Sequence, residues 1–141
     1  MTIQEQTVYS ASLFEGMKHL MEVLDPERPF TEQILRDVVE NENNHLYGLL
    51  DGDRLIGCAT LCIYCSPTGK KAAVEDVVVL SDYRGQHLGR TLLEYILGRA
   101  RELSPIDVHL TSRPSRVAAN ALYQSLGFER RDTNCYVLKL R

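Results

Sequence analysis

No apolar run in the 141-residue chain approaches the roughly 20 residues that cross a bilayer, and the opening MTIQEQTVYS lacks the basic and apolar regions of a secretory leader. The expectation is therefore a cytoplasmic protein with no membrane partner. Neither G-x-x-x-x-G-K-[ST] nor G-x-G-x-x-G occurs, which removes two familiar phosphate cradles. A basic stripe laced with aromatics is also missing from a chain of net charge −3, so nucleic acid is not an expected partner. Cysteine is sparse. Cys62-x-x-Cys65 has no second C-x-x-C or H-x-x-x-H to complete a metal site, and in a strand Cys58 and Cys62 share one face while Cys65 takes the other. The four cysteines, Cys135 included, read as reduced, buried thiols, and no metal is expected. His19, His45 and His109 have no spacing that suggests a metal or a triad and read as structural or surface residues. No repeat, low-complexity segment or linker breaks the chain, so residues 1–141 read as a single domain, with 44% hydrophobic and 25% charged content enough for one core.

What is present centres on Ala72–Leu103, where the period of the apolar residues changes. Val74–Leu80, β-branched and closed by Ser81-Asp82, predicts a buried strand. From Leu88 the spacing is helical: Leu88, Leu92, Ile96, Ala100 and Leu103 fall on one face, with Arg90, Glu94 and Arg101 pointing away. Between them Arg84-Gly85-Gln86-His87-Leu88-Gly89 forms a basic turn that opens the helix. Free N–H groups and the positive end of a helix dipole meet there, which is a phosphate-binding arrangement, although a plain connector has the same look. Residues 1–66 carry 4 Lys/Arg against 11 Asp/Glu and residues 67–141 carry 12 against 8, so the turn lies in the basic half. Scattered solvated charge explains that asymmetry as well as function does.

In chain order, Gln4–Tyr9 is weakly patterned as an edge strand. Leu13, Met17, Leu20, Met21 and Leu24 mark a helix that stops before Asp25-Pro26, and Thr31 opens a second helix that ends in Asn41-Glu42-Asn43-Asn44. Leu46–Leu50 and Arg54–Tyr64 make a hairpin about Asp51-Gly52-Asp53. After the central helix come a short buried strand over Asp107–Thr111, a helix from about Arg116 to Leu126 stopped by Gly127, and a closing strand over Cys135–Leu140.

The turn resembles motif A of the GNAT superfamily of acyl-CoA-dependent N-acyltransferases, [R/Q]-x-x-G-x-[G/A] after a strand ending in valine. Arg84 and Gly89 match its outer positions, while His87 stands where the inner glycine is usual, and a Cβ disfavours φ > 0 there. Ala119-Asn120-Ala121-Leu122-Tyr123-Gln124-Ser125-Leu126-Gly127-Phe128 resembles the family's A-x-x-L-Y-x-x-x-G-F segment, with Arg116 where an Asn is often found. The element order also matches, so the resemblance covers nearly the whole chain. The VEDVVV strand and the RGQHLGR turn look most like the glucosamine 6-phosphate N-acetyltransferase branch, and small bacterial GNAT proteins look equally close. The resemblance implies an α/β (α+β) domain whose mixed, mostly antiparallel sheet has splayed central strands and is flanked by helices.

It also implies acetyl-CoA as co-substrate and an N-acetyltransferase that acts by direct attack of a primary amine. Under that reading Val77, Val78, Val79, Arg84, Gly85, Gln86, His87, Leu88, Gly89, Arg90, Asn120 and Tyr123 surround the cofactor. Val78 or a neighbour would polarise the acetyl carbonyl through its backbone N–H, and the diphosphate would be held mainly by N–H groups with the arginines adding charge. Tyr123 is the candidate acid for the departing thiolate, or else a half-buried tyrosine whose hydroxyl finds a backbone partner. Glu75 and Asp76 are adjacent carboxylates in an apolar strand, expected on opposite faces. Glu75 is the candidate base or amine-binding group. Asp76 would bind substrate or hold an arginine such as Arg113, and ion pairing is the structural alternative for both. His87 either donates to phosphate or is exposed. A small-molecule amine is the expected acceptor, with an aminosugar phosphate, a polyamine, an aminoalkylphosphonate or a protein N-terminus all open. A homodimer through the outer strands is permitted. A non-catalytic acyl-CoA sensor and a protein-interaction module are the rival classes.

Overall fold

Helix starts, turns and strand parity lay out the chain. A computed structural model describes all residues 1–141, in the order β1 (Thr2–Gln6), α1 (Ala11–Leu24), α2 (Glu32–Val39), β2 (Asn44–Asp51), β3 (Arg54–Ser66), β4 (Gly69–Val79), a 3-10 turn (Ser81–Tyr83), α3 (Leu88–Arg101), β5 (Asp107–His109) and α4 (Val117–Ser125). Residues Met1–Leu110 form one compact unit, with the whole sheet and α1 to α3, and Thr111–Arg141 form a second, with α4. No helix is long and apolar enough to cross a membrane.

The sheet runs β1-β2-β3-β4-β5, antiparallel except for the parallel β4–β5 pair, which is the mixed sheet the family resemblance implies. The Asp-Gly turn closes the β2–β3 hairpin, with Gly52 at φ 60°, a conformation glycine adopts without strain. On one face α1 packs against β3 and β4 and α2 against β2. There Met17, Leu20, Leu35, Val39, Leu46, Ile56, Cys58 and Val78 are part of one core cluster. α3 packs against β3 and β4 and buries Leu92, Leu93, Ile96, Leu97 and Ala100, each full aliphatic burial contributing about 1.5–3 kcal/mol. Leu93 and Leu97 widen the stripe beyond the face that the spacing marked.

Several boundaries differ from expectation. The opening strand is Thr2–Gln6 rather than Gln4–Tyr9, because its register runs Thr2↔Leu50 to Gln6↔Leu46 and β2 offers no further partners. β4 begins at Gly69, ahead of the apolar run, because Lys70 and Lys71 pair with Cys65 and Tyr64 at the end of a long hairpin. β5 has only three residues and is half-exposed rather than buried. Residues 135–140 form no strand, and Tyr136, Val137, Leu138 and Leu140 are exposed. Alternating apolar residues supply a strand's side-chain pattern but not the neighbouring ladder its backbone needs, and this segment has none. All four cysteines are free. Cys58 is buried as expected, whereas Cys62 is half-buried and Cys65 and Cys135 are exposed, because neither of the last two sits on a covered strand face.

Candidate active site

β4 pairs regularly with β3 from Gly69 to Glu75, then loses a step. Thr60 faces Glu75 and Cys58 faces Val78, so three residues on β4 advance against two on β3. Asp76 takes the extra step at φ 53°, in the left-handed region that Asp tolerates better than most residues. Counting by twos therefore fails beyond Glu75, and Asp76 has a backbone task that the sequence did not disclose. Both carboxylates are exposed and neither forms an ion pair, so burial with a partner is not what holds them in the strand. Partial burial, then the neighbouring Asp76 charge, push the Glu75 carboxyl above the usual range. Burial raises the Cys62 thiol too, with Glu75 and Asp76 adding to it, and lifts Cys58, whose thiol points to the Asp76 carbonyl at 3.7 Å, to about 12. Both thiols stay protonated.

Beyond the bulge β4 has one neighbour only. β5 pairs with Lys71, Ala73 and the residue between them and then stops, leaving residues 74–79 without a strand on that side. This is the splay expected of the central strands. The Val78 side chain is buried in the core and its carbonyl lies against Gly57 of β3, while Val77 and Val79 are half-buried.

The strand delivers the chain to the basic turn. Arg54 bonds Asp82 at 3.2 Å and lies over the Tyr83 ring at 5.4 Å, and the Tyr83 hydroxyl donates to Asp51 at 2.6 Å. The β2–β3 hairpin thus anchors the entrance to the turn. Donating to the Asp51 carboxylate, and then partial burial, raise the Tyr83 phenol. Gly85 has φ 80° and His87 φ 58°, so His87 adopts the conformation its Cβ disfavours, and its side chain is exposed. His87 is the N-cap of α3 with no side-chain capping bond, and its carbonyl accepts from both the N–H and the Oγ1 of Thr91, each at 3.0 Å. The N–H groups of Leu88 and Gly89 have no acceptor in the protein. A Cβ on Gly89 would meet nothing within 4 Å, so the first turn of this helix is uncovered at that residue. Arg84 and Gln86 are exposed, and Arg90 bonds Glu94 at 2.8 Å.

In the second unit Tyr123 is buried, with its ring edge-on to Phe128 at 6.2 Å between centroids. Asn120 also bonds locally: its Nδ2 donates to the carbonyls of Arg113 at 2.9 Å and Arg116 at 2.7 Å, holding the loop that enters α4. Arg113 is exposed.

One residue passed over in the sequence stands out. His109 ends β5 opposite Ala73, and its Nε2 is buried with no hydrogen-bond partner. The available signal was a polar ring in a short apolar strand. No group of His, Cys, Asp and Glu side chains is arranged to hold a metal ion.

The family model described as Acetyltransferase (GNAT) family matches residues 11–128. The ribosomal protein bS18-alanine N-acetyltransferase of Escherichia coli (strain K12) is 40% identical over 58 residues, 41% of this chain and 39% of that protein, so the matched stretch spans about two fifths of the relative's length. The chain also resembles glucosamine-6-phosphate N-acetyltransferase from Arabidopsis thaliana, with TM-score 0.79 and 16% identity over 98% of this chain and 99% of that one. AAC(6')-Iy in complex with the bisubstrate analog CoA-S-monomethyl-acetylneamine gives TM-score 0.79 and 16% identity over 99% and 98%. At such identities these two likenesses speak for the fold.

Proposed function

The chain belongs to the acetyltransferase (GNAT) family, and from that premise we propose that it transfers the acetyl group of acetyl-CoA to the primary amine of a small-molecule acceptor by direct attack. The observation that carries this reading is the open start of α3, where Leu88 and Gly89 present unpaired N–H groups in an uncovered first turn beside the unpaired edge of β4. A diphosphate fits that chemistry, since such groups and the helix dipole both favour an anion. Arg84 and Arg90 add charge, and Gly85, Gln86 and His87 shape the approach. The exposed edge of Val77–Val79 supplies N–H and C=O groups for an amide-bearing arm and a donor for the acetyl oxygen. Bound acetyl-CoA supplies an activated acyl group and a thiolate leaving group.

Glu75 takes a proton from the attacking amine, directly or through water. Its raised pKa suits that task, because a base poised nearer neutrality is better matched to an ammonium than an ordinary carboxylate. Tyr123 protonates the departing thiolate, a role taken from its place in the Leu-Tyr-x-x-x-Gly-Phe segment. Asp76 takes the bulge that follows Glu75, and its exposed carboxylate is available for acceptor groups; Arg113 is a second exposed group that could take that task.

A second reading is acetylation of a protein or peptide amine, favoured by the curated match to an enzyme named for ribosomal-protein alanine acetylation. Calorimetric titration with acetyl-CoA tests the first step, and thiol release with a panel of an aminosugar phosphate, a polyamine, an aminoalkylphosphonate and an alanine-initiated peptide tests the second. Binding without turnover of any amine would point to an acyl-CoA sensor, and no binding would end the enzyme reading.

A further inference from the structure

We propose that His109 is a second residue that touches the acceptor amine, its Nε2 accepting one of the two protons the nitrogen must shed while Glu75 accepts the other. The inference rests on the acetyltransferase reading above, and it starts from the sheet. The ladders pair His109 with Ala73 and Ala73 with Cys62, so these three form one row across a single face. Glu75 and Thr60 form the next row on the same face, two residues along. Glu75 is thus two residues beyond the β4 partner of His109, on the face that His109 shares. The core cluster under α1 and α2 takes in Cys58 and Val78 on this face, whereas Glu75 is exposed and Cys62 and His109 are half-buried.

Two further observations mark the ring. Its Nε2 is buried without a partner, although a buried polar atom left unpaired is costly and native structures rarely keep one without a task. His109 is also the last residue of β5 to pair with β4, so a molecule lying in the splay meets it first. The chemistry calls for two acceptors. An ammonium must release one proton before nitrogen attacks the thioester carbon. After the N–C bond forms and the C–S bond breaks, with its electron pair leaving on sulfur, the nitrogen releases a second. One proton ends on the thiol and one reaches solvent. Two adjacent acceptors on one face let both transfers occur without the amine turning.

The groups beside the ring that titrate or carry charge are Cys62 on β3, Lys71, Glu75 and Asp76 on β4, and Asp107 on its own strand. The test compares wild type with His109→Gln and His109→Leu, using the amine panel above. In His109→Leu, kcat/KM for the amine should fall by about tenfold to a hundredfold, the low end of acid–base contributions, while calorimetric affinity for acetyl-CoA stays unchanged. The acid limb of its pH profile should become shallower by one proton. His109→Gln keeps an acceptor, so it should recover KM for the amine but not the slope of the limb. A folded His109→Gln with wild-type kcat and an unaltered limb would overturn the assignment, even if His109→Leu failed to fold. Weakened acetyl-CoA binding in both variants would overturn it too, by making the ring structural. A wild-type chain that binds acetyl-CoA yet acetylates none of the amines would overturn the enzyme reading first and this one with it.

Discussion

α1 and α3 have the same length but begin in opposite ways. At α1, Ser10 is extended and its hydroxyl accepts from the N–H of Leu13 at 3.0 Å; α2 repeats the device, with Thr31 accepting from Ile34 at 3.2 Å. At α3, His87 is left-handed, offers no side-chain bond and leaves the first N–H groups bare. A capping hydroxyl stabilises by about 1 kcal/mol, and a left-handed non-glycine residue costs on the order of 1–3 kcal/mol. The chain therefore accepts a less stable start at the one helix that follows the bulged strand. α1 and α2 are closed by a side-chain hydroxyl, whereas α3, like α4, is not, and α3 alone adds a left-handed N-cap.

The sharpest way to break that contrast is to put the same charge into both kinds of start. Gly89→Glu places a carboxylate at the second helical position of α3. Nothing lies within 4 Å of its Cβ, and replacing glycine while opposing the helix dipole favours the fold by roughly 1 kcal/mol. Melting temperature should hold or rise while calorimetric acetyl-CoA binding disappears. Ser12→Glu, the matching position in α1, should leave binding intact; equal loss in both variants would show that α3 is an ordinary helix start.

Next in size is Glu75→Gln, which should lower kcat by about 10²–10⁴-fold with acetyl-CoA affinity retained. The pH dependence refines this. Burial first and then the Asp76 charge hold the Glu75 carboxyl up, so Asp76→Asn should lower it part of the way, keep Glu75 ionised to more acid pH and move the acid limb of kcat/KM downward. An upward move would mean that Glu75 is not the base.

Tyr123→Phe keeps the edge-on contact with Phe128 and deletes only the hydroxyl. A thiolate leaves tolerably unaided, so kcat and kcat/KM should fall together by about 10²-fold or less, with binding intact. Full activity would make Tyr123 a packing residue.

The smallest effects are on stability. Thr31→Ala should cost about 1 kcal/mol in denaturant unfolding without touching acetyl-CoA affinity. His87→Gly should gain a few tenths to 1 kcal/mol, because the left-handed position no longer carries a Cβ. A loss of affinity in His87→Gly would show that the ring meets phosphate.

The contrast itself was partly legible beforehand. Thr31 could be read as a helix start, and the change of period between Val74 and Leu88 gave strand, turn and helix in order, because those signals are local. The bulge at Asp76 was not legible, since it exists only as a mismatch against Thr60 and Cys58 on another strand. The Arg54, Asp82, Tyr83 and Asp51 clamp joins residues about 30 apart in sequence, beyond any periodicity. His109 gave only a weak signal because the cost of an orphaned nitrogen arises on burial. The pattern at Cys135–Leu140 misled for the converse reason: local alternation was present, and a ladder to receive it was not.

The extra step in β4 has a bearing on how the gene can change. Deleting one residue from a strand ordinarily inverts every side chain beyond the cut. β4 is already one residue too long between Glu75 and Val78, so a chain lacking Asp76 would close an unbroken ladder with Val78 still opposite Cys58. The hydrophobic core would survive that deletion, and what would be lost is the left-handed step that follows Glu75. At this codon, shortening the sequence would remove a backbone irregularity beside Glu75 and keep the side-chain parity of the core.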